Sequence, residues 1–261
     1  MKRWIPIAMM AISVICLLFF VLPVQVESVV EPVPTTIAYE PFVKKPISYI
    51  ELSTIEEVET AIDECDTYLS ELYQTTSYDM SDVSAEINRI TDMRDQYQMD
   101  LDALLAEKAR WDAKYEEYPT ATIVWKYLTE DMGLNDSVAA GIMGNLMSET
   151  GGRTLDLTWD AYSRPTKGYY GICQWSKKYY PSVYGASLED QLAFLAKTIK
   201  KEFDVYGKKC HKKGFNYQSF TELTDEREAA LAFARCYERS AKGGHARRQR
   251  NATRALAYFT K

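Results

Sequence analysis

Residues 135–152 contain the pattern that constrains this chain most, because it specifies a helix from its first residue to its last. Asn135 or Asp136 can cap the start, since their side chains accept hydrogen bonds from backbone N–H groups that have no partner within the helix. Gly151 and Gly152 mark the end, because glycine readily adopts the left-handed conformation that closes a helix. Apolar residues recur at every fourth position, which predicts one buried stripe: Val138, Ile142 and Leu146.

Glu149 lies on the same stripe, three positions after Leu146 and seven after Ile142. It also lies in the last turn, close to the negative end of the helix dipole. Both placements disfavour the charged carboxylate. A carboxylic acid that keeps its proton near neutral pH can act as a general acid, whereas most glutamates at helix ends are simply solvated. The inward placement favours the functional interpretation of Glu149.

A second segment, GYYGICQWS at residues 168–176, follows about twenty positions later. Its glycines allow the backbone to approach a ligand closely. Its aromatic side chains can stack on sugar rings, and its glutamine amide can bond polar groups of a sugar. The two segments together indicate a site for a carbohydrate.

The sequence SETGG followed by GYYGICQWS resembles the glutamate-Ser and Gly-Leu-Met-Gln signatures of lysozyme-like muramidases and lytic transglycosylases. Among these it is similar to the phage tail-tip lysozyme family, over roughly residues 121–258. Thr150 stands in place of the serine, and Ile172 and Cys173 stand in place of the Leu-Met pair. The resemblance implies a mainly α, lysozyme-like fold with its cleft between the Glu149 helix and the following loop. It also implies a glycosidase that cuts peptidoglycan between N-acetylmuramic acid and N-acetylglucosamine.

By this resemblance Glu149 is the general acid, and Gly171 and Gln174 match the family's Gly-x-x-Gln pattern. The glycine is expected to let the chain pass close under the sugar, and the Gln174 amide to bond a hydroxyl or acetamido group. Tyr170 and Trp175 are expected either to stack on the sugar or to pack in the core.

Glycoside cleavage needs a proton for the leaving oxygen and support for an oxocarbenium-like centre. Asp156 and Asp160 follow Glu149 by 7 and 11 positions. Asp160 is predicted to be the second catalytic carboxylate, because Trp159 and Tyr162 flank it as suits a sugar subsite. In the alternative interpretation both aspartates are turn residues, and the sugar's own acetamido group or 6-hydroxyl replaces an enzyme carboxylate or water.

Two charged segments follow near the C-terminus. Tyr237-Glu238-Arg239 resembles a Tyr-Glu-Arg-Pro segment of tail lysozymes, with Ser240 in place of the proline. Glu238 is expected to pair with an arginine in a structural role rather than to act in catalysis. A last helix, at about residues 246–259, carries an arginine run that either meets wall phosphates or forms a solvated face: Arg247, Arg248, Arg250 and Arg254.

The cysteine and histidine pattern predicts neither a metal site nor a cofactor. The chain has 5 cysteines and 2 histidines, with no CxxC pair and no HExxH sequence. Cys210 and Cys236 can form a disulfide in an extracytoplasmic protein, and free buried thiols are the alternative.

The N-terminal sequence is typical of a membrane anchor or a signal peptide. Lys2 and Arg3 precede a mostly apolar run over residues 4–26, long enough to span a bilayer. Residues 1–27 are therefore predicted to be a retained anchor or a cleaved signal peptide, with the rest of the chain outside the cytoplasm. Residues 28–50 contain several prolines and are predicted to be an extended spacer.

Residues 51–118 are predicted to be an acidic helical arm. Apolar residues recur at spacings of three and four, a heptad stripe with Arg94 and Lys108 in two of its seam positions. Two helices can bury this stripe against each other as an antiparallel hairpin, or the arm can pair with a second chain or another protein.

The charge distribution separates this arm from the C-terminal domain. The net charge is −14 over residues 51–118 and +7 over residues 119–261, the predicted lysozyme-like domain. A basic hydrolase is attracted to an anionic polymer such as the bacterial cell wall. No nucleic-acid-binding motif is present. The competing hypothesis is a noncatalytic wall-binding or scaffold protein that acts through its coiled-coil arm.

Overall fold

The computed structural model describes residues 42–74, 80–163, 168–240 and 245–261. The predicted membrane segment at 1–27 and the spacer up to residue 41 lie outside these ranges. Within them, no helix is both long enough and apolar enough to cross a membrane. The described chain is mainly α, as predicted, with eight α-helices and one two-stranded sheet.

The arm is an antiparallel pair of helices, α1 (Ile55–Gln74) and α2 (Met80–Glu117). The two helices bury the apolar stripe against each other within one chain, as in the predicted hairpin. Arg94 on α2 pairs with Asp66 on α1 at 3.1 Å, which marks the antiparallel register. The two helices bury a shared apolar core: Val58, Ile62, Cys65, Tyr68, Leu72, Ile90, Met93 and Tyr97.

The charged residue that is fully buried in this arm is not one of the two predicted for its seam. Arg94 keeps 36% of its side chain exposed, and Lys108 pairs with Asp112 on the solvated face. Glu86 is fully buried instead and accepts hydrogen bonds from Arg89 at 2.7 and 2.9 Å. A straight α-helix drifts from a 3.5-residue repeat, so a strict heptad assignment misplaces seam residues along α2.

Part of the predicted spacer packs on the arm instead of standing free. Residues 42–50 have no regular secondary structure. The Lys45 backbone N–H donates to the Tyr68 hydroxyl, and the Ile50 N–H donates to the Tyr97 hydroxyl, each at 3.1 Å. These bonds satisfy backbone groups that an extended segment cannot satisfy by itself.

The C-terminal domain follows α2 without an intervening linker, since Pro119 begins α3 two residues after α2 ends. The ring centroid of Trp111, on α2, lies 6.4 Å from that of Phe259, so the arm helix also packs on this domain. The elements of the domain are α3 (Pro119–Lys126) with a π-helical turn (Tyr127–Asp131), α4 (Asp136–Leu146) with a π-helical turn (Met147–Gly151), β1 (Tyr169–Tyr170), β2 (Trp175–Ser176), α5 (Leu188–Cys210), α6 (Tyr217–Thr221), α7 (Glu226–Cys236) and α8 (His245–Phe259).

Helix α4 lies at the centre of this domain and packs on α7 and α8. Its start is capped by Asn135, whose side chain accepts from the Val138 N–H at 3.0 Å. Two glycines allow the close approach of its neighbours. A Cβ on Gly141 would lie 2.5 Å from the Ala229 side chain, and one on Gly144 would lie 2.4 Å from the Arg248 carbonyl oxygen. The glycines thus set how α7 and α8 sit against α4.

We expect Gly144→Ala to lower the free energy of unfolding by about 1–3 kcal/mol, the usual cost of overpacking a core. The new methyl group would meet backbone atoms of α8, which cannot rotate away as a side chain can. Urea denaturation followed by circular dichroism measures the change. An unaltered free energy of unfolding would mean that α8 moves aside without cost.

The two-stranded sheet lies between α4 and α5. Trp175 opens β2 and pairs with Tyr170 in β1. Gln174 adopts a φ of 49°, which places it in the turn between the strands. The cysteines among the described residues, including Cys210 and Cys236, are free thiols.

Candidate active site

A π-helical turn presents Glu149 at the end of α4. Wider turns of this kind are frequent at functional sites, where the extra residue shifts the directions of the side chains. The turn is tied to α8 through Asn251, which donates to the Ser148 hydroxyl at 3.1 Å and to the Gly152 carbonyl at 3.2 Å. The Glu149 side chain is 25% exposed, so it lies at the edge of the buried stripe instead of within it.

Glu149 shares one guanidinium with a second carboxylate. Arg248, on α8, donates from Nη2 to the Glu149 carboxylate. The same Nη2 lies 3.0 Å from Oε2 of Glu238, and Nε of Arg248 lies 3.2 Å from that oxygen. Glu238 follows the end of α7, so this cluster joins the ends of two helices to the first turns of a third.

Glu238 is the most buried member of this cluster, with 6% of its side chain exposed. Burial, and then the nearby Glu149 charge, raise the pKa of Glu238 from its ordinary value of 4.5 to about 8, against the opposing effect of Arg248. Its second oxygen, Oε1, is buried and has no hydrogen-bond partner. Burial also raises the pKa of the neighbouring Cys173 thiol well above its usual range.

The cluster lies in the wall of a cavity of about 750 Å³. The part of the lining that the structure describes is more polar than apolar and includes the tyrosines Tyr162 and Tyr169. Its residues are Glu149, Thr150, Thr158, Ala161, Tyr162, Ser163, Tyr169, Cys173, Gln174, Glu238, Ser240 and Arg248. A second cavity, of about 590 Å³, shares Tyr169, Cys173, Gln174 and Glu238 with the first. The shared residues place Glu238 and Gln174 where the two cavities meet.

Gln174 lines both cavities. Its amide nitrogen donates to the backbone carbonyls of Ala161 and Gly171, at 3.1 and 2.9 Å. The turn therefore uses the amide nitrogen of Gln174 and leaves its carbonyl oxygen, Oε1, out of these bonds.

The structure shows a conformational reason for glycine at position 171. Gly171 is buried and is not among the described residues that line the first cavity. Its φ is +80°, and a Cβ there would lie 2.2 Å from Oε1 of Gln191. That oxygen accepts the Ile172 N–H at 2.9 Å, which holds the turn between the strands. Glycine is required at this position by the turn.

The two aromatic candidates pack in the core. Tyr170 is 2% exposed and donates its hydroxyl to the Ala186 carbonyl at 2.9 Å. Trp175 is 5% exposed, donates Nε1 to the Tyr237 hydroxyl at 3.2 Å and is one of the residues that line the second cavity. Of the alternatives stated for these residues, packing accounts for their contacts, and the tyrosines in the first cavity are Tyr162 and Tyr169.

Asp160 is exposed and is absent from the described lining of the first cavity. Its neighbours Ala161 and Tyr162 line that cavity in its place. The carboxylate that the fold brings to Glu149 is Glu238, through Arg248. Glu238 pairs with an arginine, as expected from the sequence.

Sequence reasoning missed that this arginine is Arg248 and that it faces the candidate acid. The arginine run was interpreted as a surface feature, but the Arg248 side chain is only 9% exposed. The spacing of the run held a signal, because Arg248, Ala252, Ala255 and Phe259 recur at three and four positions and are buried together.

Comparison with known proteins adds one match. The sequence model of a family described as phage tail lysozyme matches residues 119–259. A comparison with the curated proteins gives no match, and neither does one with the solved structures. The matched range begins with α3 and ends with α8, so it contains every element that forms the cavity.

Proposed function

The chain belongs to the phage tail lysozyme family, and from this premise we propose that it cleaves glycan strands between N-acetylmuramic acid and N-acetylglucosamine, with Glu149 as the general acid. The family match indicates a lysozyme-type glycosidase that acts on peptidoglycan. The bond that is cut and the role of Glu149 are the parts that we propose.

The observation that carries this proposal is the position of Glu149. Its carboxyl group is partly exposed in the wall of a 750 Å³ cavity and held on a turn that α8 fixes. A general acid must reach the glycosidic oxygen while its own position is restrained. Tyr162 and Tyr169 offer ring faces to a sugar, and Gln174 offers a carbonyl oxygen to a hydroxyl or acetamido N–H.

Mass spectrometry of the fragments released from purified cell walls tests the bond assignment. Cleavage between the two sugars releases muropeptides that end in N-acetylmuramic acid. Water as the acceptor gives a reducing end, whereas attack by the sugar's own 6-hydroxyl gives an anhydro end. Release of free peptides from intact glycan strands would contradict the proposal.

We expect Asp160→Asn to keep most of the wall-clearing activity, because the Asp160 carboxyl is exposed and outside the described lining of the cavity. Asp156→Asn, the other loop aspartate considered, serves as a matched control. Initial rates of turbidity loss measure both variants. A loss of a hundredfold or more in Asp160→Asn alone would instead support Asp160 as the second catalytic carboxylate.

We also infer an extracytoplasmic location, with residues 1–27 as anchor or signal peptide and residues 51–118 as the arm that sets the distance of the domain from the membrane. The +7 net charge of residues 119–261 suits attraction to an anionic wall. Cell fractionation of the full chain, with and without residues 1–27, tests this arrangement.

A further inference from the structure

The cluster of Glu149, Glu238 and Arg248 contains two carboxyl groups and one cation. Nη2 of Arg248 contacts both carboxylates, so a single nitrogen bridges the two groups. With both carboxylates ionised, the cluster carries a net charge of −1 in a site where two of the three side chains are at least nine-tenths buried. Retaining one proton on the pair makes the cluster neutral, which a buried site favours.

The hydrogen bonds of Glu238 also favour a proton on the pair of carboxyl groups. Oε2 accepts from two nitrogens of Arg248, whereas Oε1 is buried without a donor. A buried carboxylate oxygen without a partner is costly, and the cost falls when the group holds a proton. The raised pKa of Glu238, about 8, agrees with this geometry.

The titratable groups that face Glu238 come from three elements among the described residues. Glu149 belongs to the π-helical turn after α4, Arg248 to α8, and the Cys173 thiol to the turn between β1 and β2. The adjacent Arg239 points elsewhere, since it pairs with Glu202 on α5. Arg248 is therefore the cation that contacts both carboxylates.

Building on the proposed function, we propose that Glu238 is a positioning residue that shares one proton with Glu149 and takes over the pairing with Arg248 when Glu149 carries that proton. Without a second carboxylate, Arg248 would hold Glu149 in its charged form, which cannot act as an acid. Glu238 offers Arg248 another anion, so the neutral cluster can place its proton on Glu149. In this form the proton is on the most exposed of the three side chains, and the charge pair is formed by the two more buried ones.

The pH dependence of kcat/KM on purified walls or soluble glycan strands tests this role. The wild type should lose activity through an alkaline limb near pH 8, where the shared proton leaves. In Glu238→Gln the amide cannot take the negative charge, so the alkaline limb should move to lower pH by about one unit or more. At a given pH on that limb, kcat/KM should then be about tenfold lower than in the wild type. Activity of this variant should recover at acid pH.

Glu238→Asp keeps a carboxyl group and should restore much of the alkaline limb, which separates the charge of residue 238 from its shape. Circular dichroism and wall binding establish that each variant is folded. A merely structural role would lower activity by the same factor at every pH. An alkaline limb of Glu238→Gln that coincides with the wild type would overturn the inference.

Glu149→Gln separates this inference from the proposed function. Suppose that Glu149→Gln is inactive at every pH and that the alkaline limb of Glu238→Gln coincides with that of the wild type. The hypothesis of a shared proton is then wrong, whereas the role of Glu149 as the acid is supported. If Glu149→Gln retains full activity, the acid role fails, and the sharing fails with it.

Discussion

Replacing Glu149 by glutamine should reduce the clearing of purified cell walls by about a hundredfold or more, since general acid catalysis contributes roughly 10²- to 10⁴-fold to a rate. Glutamine has nearly the shape of glutamate and can still accept a hydrogen bond from Arg248, but it has no acidic proton to give. Binding to walls should remain, because the cavity and the basic surface are unchanged. Turbidity loss and a wall-pelleting assay, run on the same preparation, measure the two properties.

The result also decides between an enzyme and a scaffold. A noncatalytic wall-binding protein that acts through its arm would give no clearing with either form of the chain. Equal clearing by wild type and Glu149→Gln would remove Glu149 from the chemistry. Asp160→Asn makes the same carboxyl-to-amide change in the neighbouring loop and should leave activity largely intact.

Replacing Arg248 by methionine should lower the free energy of unfolding by about 3–5 kcal/mol at pH 8.5, because removal of one partner from a buried ion pair leaves charge without compensation. Two carboxyl groups would then face each other with no cation between them. Methionine keeps most of the apolar stem, so the loss reports mainly on charge. Urea denaturation at fixed pH measures it.

The effect of this substitution should depend on pH in a defined direction. The folded-state pKa of Glu238 is raised above its ordinary value of 4.5, to about 8. Its neutral form therefore favours the folded state fully below pH 4.5, and this advantage is lost as the pH rises through 8. Without Arg248, the ionised form of Glu238 destabilises the folded state even more. The free energy of unfolding of the variant should therefore be close to that of the wild type at pH 4.5, and the difference between them should grow up to pH 8.5.

Arg250→Met is the matched control, since it removes the same charge from an exposed position two residues away on α8. We expect it to change the free energy of unfolding by less than about 0.5 kcal/mol, as is usual for surface substitutions. A loss in Arg248→Met that is equally small, or equal at pH 4.5 and 8.5, would show that the cluster does not stabilise the fold through charge.

Local patterns in the sequence were enough for much of the fold. The cap at Asn135 and the stripe of Val138, Ile142 and Leu146 lie within a few residues of one another, and the structure has them as predicted. Such features depend on contacts between neighbours in the chain, so their physical cause can be read from the sequence alone.

The arrangement around Glu149 could not be obtained in this way. Arg248 lies 99 residues after Glu149 and 10 residues after Glu238, and their contact depends on how closely α8 approaches α4. Gly144 permits that approach, and the wider turn after α4 sets the direction of Glu149. The sequence determined which helices form and which carboxylate ends the central one. Only the tertiary structure decided which charges meet there, because that depends on distances between helices and not on spacing along the chain.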